Sequence, residues 1–103
     1  GMFYIIDWKS NFLGPSIEDY NQVALRNTME QEFYFLQYHL YTVAINSFLS
    51  FRNKGYTYDK HFGGVFYMFL RGIDVQKGQE YGIFFDRPSE GLVTEFNRYL
   101  KGI

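Results

Sequence analysis

Tyr4-Ile5-Ile6-Asp7-Trp8-Lys9-Ser10-Asn11 is an apolar run that ends on Asp-x-Lys. Side chains alternate faces along a strand, so Asp7 and Lys9 point one way while Ile6 and Trp8 point the other. The run therefore sets a carboxylate and an ammonium side by side at a strand end. A carboxylate suits a hard cation such as Mg²⁺, and an ammonium can position a water or meet charge developing on a phosphoryl group. An Asp-x-Lys by itself is common in proteins, and without context it reads as a solvated strand end.

Outward from this strand, residues 3–8 read as mostly buried, and Gly14-Pro15 breaks the connection that follows. Ser16-Ile17-Glu18-Asp19 has the form of a capping box, which predicts a helix from there to about Asn27. Thr28-Met29-Glu30-Gln31 is a second box, read as a kink or short break. From Glu32 to Arg52 the pattern is helical, with Phe33, Leu36, Leu40, Ala44, Ser47, Phe48 and Phe51 as the predicted core-facing stripe. Asn53-Lys54-Gly55 ends that helix. Gly63-Gly64 then releases a strand over 65–70, apolar on both faces as a central strand is. A further strand is expected over 81–85. Ser89 can cap a last helix with Leu92, Val93, Phe96, Tyr99 and Leu100 on one face. The order β-α-(α)-β-β-α makes the first two strands parallel partners across a helical crossover. With nothing ahead of the first strand to pair its other edge, an open apolar edge is expected, and with it self-association as a two-fold homodimer.

The 103 residues make one small domain, 1–103, and a chain this short buries only about two-thirds of its unfolded surface. Aromatic residues make up 22% of it, which supplies burial area and suggests surface that expects a partner. Ten basic and eleven acidic residues leave a net charge of −1, which is not the footprint of a free-standing nucleic-acid binder. Cysteine is absent, so disulfides and thiolate metal sites are excluded. No apolar run approaches the roughly 20 residues of a membrane span, and a cytoplasmic chain without membrane contact is expected.

Asp7-Trp8-Lys9-Ser10-Asn11 is followed by Gln37-Tyr38-His39-Leu40-Tyr41 and by His61-Phe62-Gly63-Gly64-Val65 leading to Arg71-Gly72. In that order and spacing, through Phe85-Asp86-Arg87-Pro88, the chain resembles the RecB-type nuclease domains. These are the C-terminal part of exodeoxyribonuclease V beta subunits, in the PD-(D/E)xK superfamily. The resemblance implies a partial restriction-endonuclease-like α/β core, a mixed sheet flanked by helices. It implies Mg²⁺-dependent hydrolysis of linear DNA within an ATP-driven helicase–nuclease of double-strand-break repair. Asp7 matches the family's carboxylate metal ligand, the Trp8 main-chain carbonyl a further metal ligand, and Lys9 the catalytic lysine. Gln37 and Tyr41 match the Q-x-x-x-Y pair that supports the site from the neighbouring helix. The implied partners are DNA, the RecC and RecD type subunits, and RecA.

The family's site also uses a histidine and a second aspartate from a preceding helix and strand, and its ATP-binding helicase domains carry a Gly-rich phosphate loop. None of these falls within the chain, so an N-terminally truncated piece, inactive by itself, is the expectation. The rival from another class is a non-catalytic interaction or oligomerisation module derived from a nuclease. A phage-type exonuclease of the same superfamily is disfavoured by the H-F-G-G-V strand. Glu18, Asp19, Glu30 and Glu32 fall on predicted helices away from the strand end. His39 is read as an ordinary helix residue and His61 as structural. The aromatic run of Phe62, Phe66, Tyr67 and Phe69 is read as core. Arg52, Lys54, Lys60 and Arg71 are read as a cluster that could meet phosphates but is usually solvated surface.

Overall fold

The computed structural model describes residues 1–102. Strands β1 (Phe3–Lys9), β2 (Phe62–Phe69) and β3 (Ile83–Asp86) form one mixed sheet in the order β1-β2-β3. β1 lies parallel to β2, and β2 antiparallel to β3. The parallel pair requires a crossover. It is made by helices α1 (Gln22–Gln31), α2 (Tyr34–Arg52) and α3 (Tyr58–His61), and α4 (Glu90–Lys101) closes the chain. The mixed sheet, the parallel β1/β2 pair and the central place of β2 agree with the sequence reading.

The register puts Ile5, Asp7 and Lys9 on one face of the sheet with Val65, Tyr67 and Phe69, and with Phe84 and Asp86. This inner face carries the core, where Tyr20, Leu25, Met29, Tyr38, Val43 and Val93 meet Val65, Tyr67 and Phe84. The opposite face presents Tyr4, Ile6 and Trp8, Phe66 and Met68, and Phe85. Among these, Ile6 is 55% exposed and Trp8 58% exposed. The helices thus cover one face, and the expected sheet between two helical layers is not what the described residues form. β1, expected to be mostly buried, is an edge strand whose outer side chains have no layer over them.

Local chemistry explains the helix boundaries. The Ser16 box holds, with the Asp19 carboxylate accepting the Ser16 N–H at 3.0 Å, but it starts only a 3₁₀ turn over Ile17–Tyr20. Asn21 is extended and opens α1 instead, its side chain accepting from the Ala24 N–H at 3.0 Å. Thr28 opens nothing, because its hydroxyl donates back to the Ala24 carbonyl inside α1. The expected break falls at Phe33, which sits in the left-handed region at φ 58°.

The predicted stripe of α2 faces the wrong way. Phe33, Leu36, Leu40, Ala44, Ser47, Phe48 and Phe51 are all exposed, Phe51 at 86%. The inward line is Tyr34, Tyr38, Thr42, Ile45 and Leu49, which also follows helical spacing. The two lines are offset by two residues, or about 200° around a helix of 3.6 residues per turn. Both are apolar enough to read as a core stripe. Polar satisfaction distinguishes them, since the Tyr38 hydroxyl donates to Asp86 at 2.6 Å and Thr42 to the Tyr38 carbonyl at 2.7 Å. On α4 the expected face splits similarly: Val93, Phe96 and Leu100 pack inward, while Leu92 and Tyr99 are exposed.

The Gly63-Gly64 pair lies within β2 rather than ahead of it. A Cβ on Gly63 would fall 2.3 Å from the Tyr4 ring, and one on Gly64, at φ 139°, 2.5 Å from the Phe85 ring. The glycines let aromatic rings from both neighbouring strands lie over β2. Tyr4 and Phe85 flank Phe66 at 5.7 and 4.7 Å between centroids, an aromatic ladder across the open face.

Candidate functional site

The end of β1 carries the polar cluster. Lys9 Nζ lies 3.3 Å from Asp7 Oδ1, and both side chains are largely shielded from solvent. The two sit on the inner face, as strand alternation requires, and α2 passes over that face. It brings Gln37 down so that Lys9 Nζ donates to Gln37 Oε1 at 3.2 Å. Tyr67, beside Asp7 on β2, donates its hydroxyl to the same oxygen at 2.5 Å. Lysine can only donate, so the amide oxygen of Gln37 must face it. Both lone pairs of that oxygen are then used and the orientation of the amide is set.

Two rings line the lysine. Nζ lies 4.1 Å from the Tyr34 ring centroid and 5.3 Å from that of Tyr67. Contacts of this kind stabilise a cation by about 0.5–2 kcal/mol according to how dry they are. Tyr67 is fully buried, and burial first, then the negative charge of Asp7, pushes its hydroxyl above the ordinary tyrosine range. It therefore stays protonated and remains a donor to Gln37.

The rest of the Asp-x-Lys-Ser-Asn stretch is anchored as well. Arg71 Nε donates to the Ser10 carbonyl at 2.8 Å while its guanidinium stacks over Phe12. Tyr34 donates to Asn11 Oδ1 at 3.2 Å. Ser10 and Asn11 thus fix where the strand leaves the sheet and where Tyr34 stands over Lys9.

Of the residues singled out from the sequence, Asp7, Lys9 and Gln37 come together. Tyr41 stands one helical turn from Gln37 and is half exposed. It lines an apolar groove of about 430 Å³ with Tyr4, Ile5, Ala44, Ile45 and Phe48. Among the described residues it makes no hydrogen bond to Asp7, Lys9 or Gln37. The Trp8 side chain is on the open face, with its backbone between Asp7 and Lys9. His39 donates Nδ1–H to the Phe35 carbonyl and stacks on Tyr38. His61 accepts the Thr57 N–H at 3.0 Å and stacks on Tyr56. The expected basic cluster is split. Lys60 precedes β2 and Arg71 follows it, so eight residues of strand, roughly 25 Å, separate them.

No family model matches the chain. Curated relatives do. A RecBCD enzyme subunit RecB of Haemophilus influenzae is 45% identical over 97 residues, which is 94% of this chain and 8% of that protein. Its counterpart in Escherichia coli is 42% identical over all 103 residues, 9% of its own length. One in Mycobacterium tuberculosis is 34% identical over 95% of the chain. This chain belongs to the RecB family. It spans less than a tenth of the length of the RecB proteins it matches.

Within this RecB segment the sequence reading missed Tyr34 and Tyr67 as parts of the site. Tyr67 was absorbed into a core strand by its apolar neighbours, which is where its ring does sit. A phenol two residues from a register partner of Lys9 was the available signal, but it becomes one only once β1 and β2 are paired. The fit of a cation is limited. Among the described residues no group of three or more His, Asp or Glu is placed to hold a metal. Among the described residues Asp7 is the one carboxylate paired with Lys9 at the strand end, and its Oδ1 is already shared with that lysine. That meets the lower bound for Mg²⁺, which binds through one or two carboxylates plus waters and substrate oxygens.

Proposed function

We propose that this RecB segment carries the carboxylate–lysine half of a PD-(D/E)xK nuclease site and hydrolyses phosphodiester bonds of linear DNA only when the rest of a RecB chain completes it. The observation that carries the reading is the convergence of Asp7, Lys9 and Gln37 at the end of β1, in a chain related to RecB over nearly its full length. Asp7, with the Trp8 carbonyl, would contribute to holding Mg²⁺, which when bound supplies charge neutralisation at the phosphate. Lys9 orients an attacking water or meets the charge developing on the phosphoryl oxygens. Gln37 holds Lys9 in place, and Tyr41 borders the site from the adjacent turn. With one carboxylate and a net charge of −1, both further ligands and phosphate-neutralising charge come from outside this span. The setting is cytoplasmic double-strand-break repair, with RecC and RecD type subunits and RecA as partners and ATP consumed elsewhere in the assembly.

The test uses both contexts. The folded 103-residue chain is expected to leave linear DNA intact in Mg²⁺. The same segment within a full-length RecB, assembled with its partner subunits, is expected to degrade it. There Lys9→Ala lowers hydrolysis by at least about 100-fold, as loss of a transition-state donor does, with ATP-driven unwinding unchanged. Hydrolysis indifferent to Lys9 would overturn the proposal.

A second reading has its own observation. The open aromatic face and the free edge of β1 fit a chain that associates, as a two-fold homodimer covering that edge, without catalysis.

A further inference from the structure

The Lys9 ammonium has three N–H donors and no acceptor. Asp7 and Gln37 engage two of them at 3.3 and 3.2 Å. The ammonium also lies over the ring of Tyr34, with Tyr67 next to it. These rings are 5.5 Å apart between centroids and are not free to swing. Each is tied by its hydroxyl, Tyr34 to Asn11 and Tyr67 to Gln37. We infer that Tyr34 and Tyr67 are positioning residues: their ring faces hold the Lys9 ammonium against Asp7 and Gln37, and the Tyr67 hydroxyl locks Gln37 in the orientation that receives it.

The division of labour has a chemical reason. Withdrawing the ammonium from Asp7 or Gln37 would leave a shielded oxygen short of a donor, which is costly. Withdrawing it from the Tyr34 face leaves an intact ring with no polar group unsatisfied. The tyrosine face is therefore the contact that yields when a water or a phosphoryl oxygen takes a lysine N–H. It keeps the cation desolvated and aimed until then. The meaning of this for hydrolysis rests on Lys9 being the working group of the proposed nuclease; the cage itself does not.

NMR of this chain, isotopically labelled at lysine and glutamine, tests the cage without reference to activity. Ring currents place the Lys9 ε-methylene resonances upfield of those of the exposed Lys54, Lys60, Lys77 and Lys101. Tyr34→Phe, which keeps the ring, is expected to leave them upfield. Tyr34→Leu is expected to move them to the position of the other lysines, with the backbone amide spectrum still that of the folded chain. Tyr67→Phe is expected to shift the Gln37 side-chain amide resonances while Lys9 stays upfield. Lys9 resonances among those of the exposed lysines in the unaltered chain, or unmoved by Tyr34→Leu, would overturn the inference. So would a Gln37 amide blind to Tyr67→Phe. A cage seen by NMR in a RecB whose hydrolysis ignores Lys9 would uphold the cage and remove the nuclease reading, so the two fail separately.

Discussion

The two faces of β1 reverse the usual arrangement of a strand. Its polar residues, Asp7 and Lys9, point into the protein, where Gln37, Tyr34 and Tyr67 receive them. Of its apolar residues, Ile5 packs inward, while Tyr4, Ile6 and Trp8 point out to solvent. A strand stabilising a small domain by itself would be built the other way round, with burial of the apolar side supplying the driving force. The inner face is satisfied down to individual donors and acceptors: among the described residues no buried side-chain nitrogen or oxygen lacks a partner. The outer face has complementary shape within itself, the Tyr4–Phe66–Phe85 ladder, and no cover. The contrast is between a polar cluster whose donors and acceptors are paired and an apolar surface left open.

The largest expected effect on this contrast comes from alkaline pH, which attacks the inner face. Tyr38, Tyr58 and Tyr67 are buried there, and burial raises all three hydroxyls above the ordinary tyrosine value. Hydrogen bonding to the Asp86 carboxylate raises Tyr38 further, while Arg87 opposes the rise at Tyr58, which is pushed up to about 12. In the unfolded chain these groups lose their protons near pH 10. Above that the folded state holds more protons than the unfolded one, so stability falls as pH rises. Their contribution is fully present below pH 10 and is lost through about 12 for Tyr58, at about 1.4 kcal/mol per pH unit for each tyrosine still protonated in the fold. Chemical denaturation across that range measures it. A flat profile would mean that the inner tyrosines are solvated.

Mutations separate the faces next. Tyr67→Ala removes a fully buried ring, and a loss of about 3–5 kcal/mol is expected. Trp8→Ala deletes a larger side chain from the same sheet but from its open face, and a loss below about 1 kcal/mol is expected in this chain. Equal losses would mean that the outer face is covered in solution. The smallest effect on folding, and the most direct probe of that cover, is Ile6→Lys. In a monomeric chain it should leave the unfolding midpoint nearly unchanged, because Ile6 is 55% exposed. If the homodimer reading holds, light scattering at micromolar concentration shows a two-fold species that this change dissociates. A strictly monomeric parent chain would end that reading.

Several features were legible without coordinates because they depend on local spacing. Strand alternation alone puts Asp7 and Lys9 on one face. The four-residue step from Gln37 to Tyr41 puts both on one side of α2, and Ser89 caps α4 as expected, accepting the Leu92 N–H at 3.2 Å. The spaced motifs were enough to point to the RecB family. Where two local patterns competed, the sequence offered no means of choosing. Both lines of α2 are apolar at helical spacing, and the one that packs is the one whose Tyr38 and Thr42 hydroxyls find acceptors. The same limit applied to Tyr67, an aromatic in an apolar strand until parallel pairing set it beside Asp7.

Taken by itself, then, the sequence determined which residues share a face and which family they belong to, because periodicity and motif spacing are properties of the chain. The tertiary structure alone decided which face is inside. That choice depends on pairing between residues about 30 to 60 positions apart, Lys9 with Gln37 and Tyr67, and Ser10 with Arg71. It rests on satisfying each buried donor and acceptor, and no count of apolar residues along one helix or strand contains that condition.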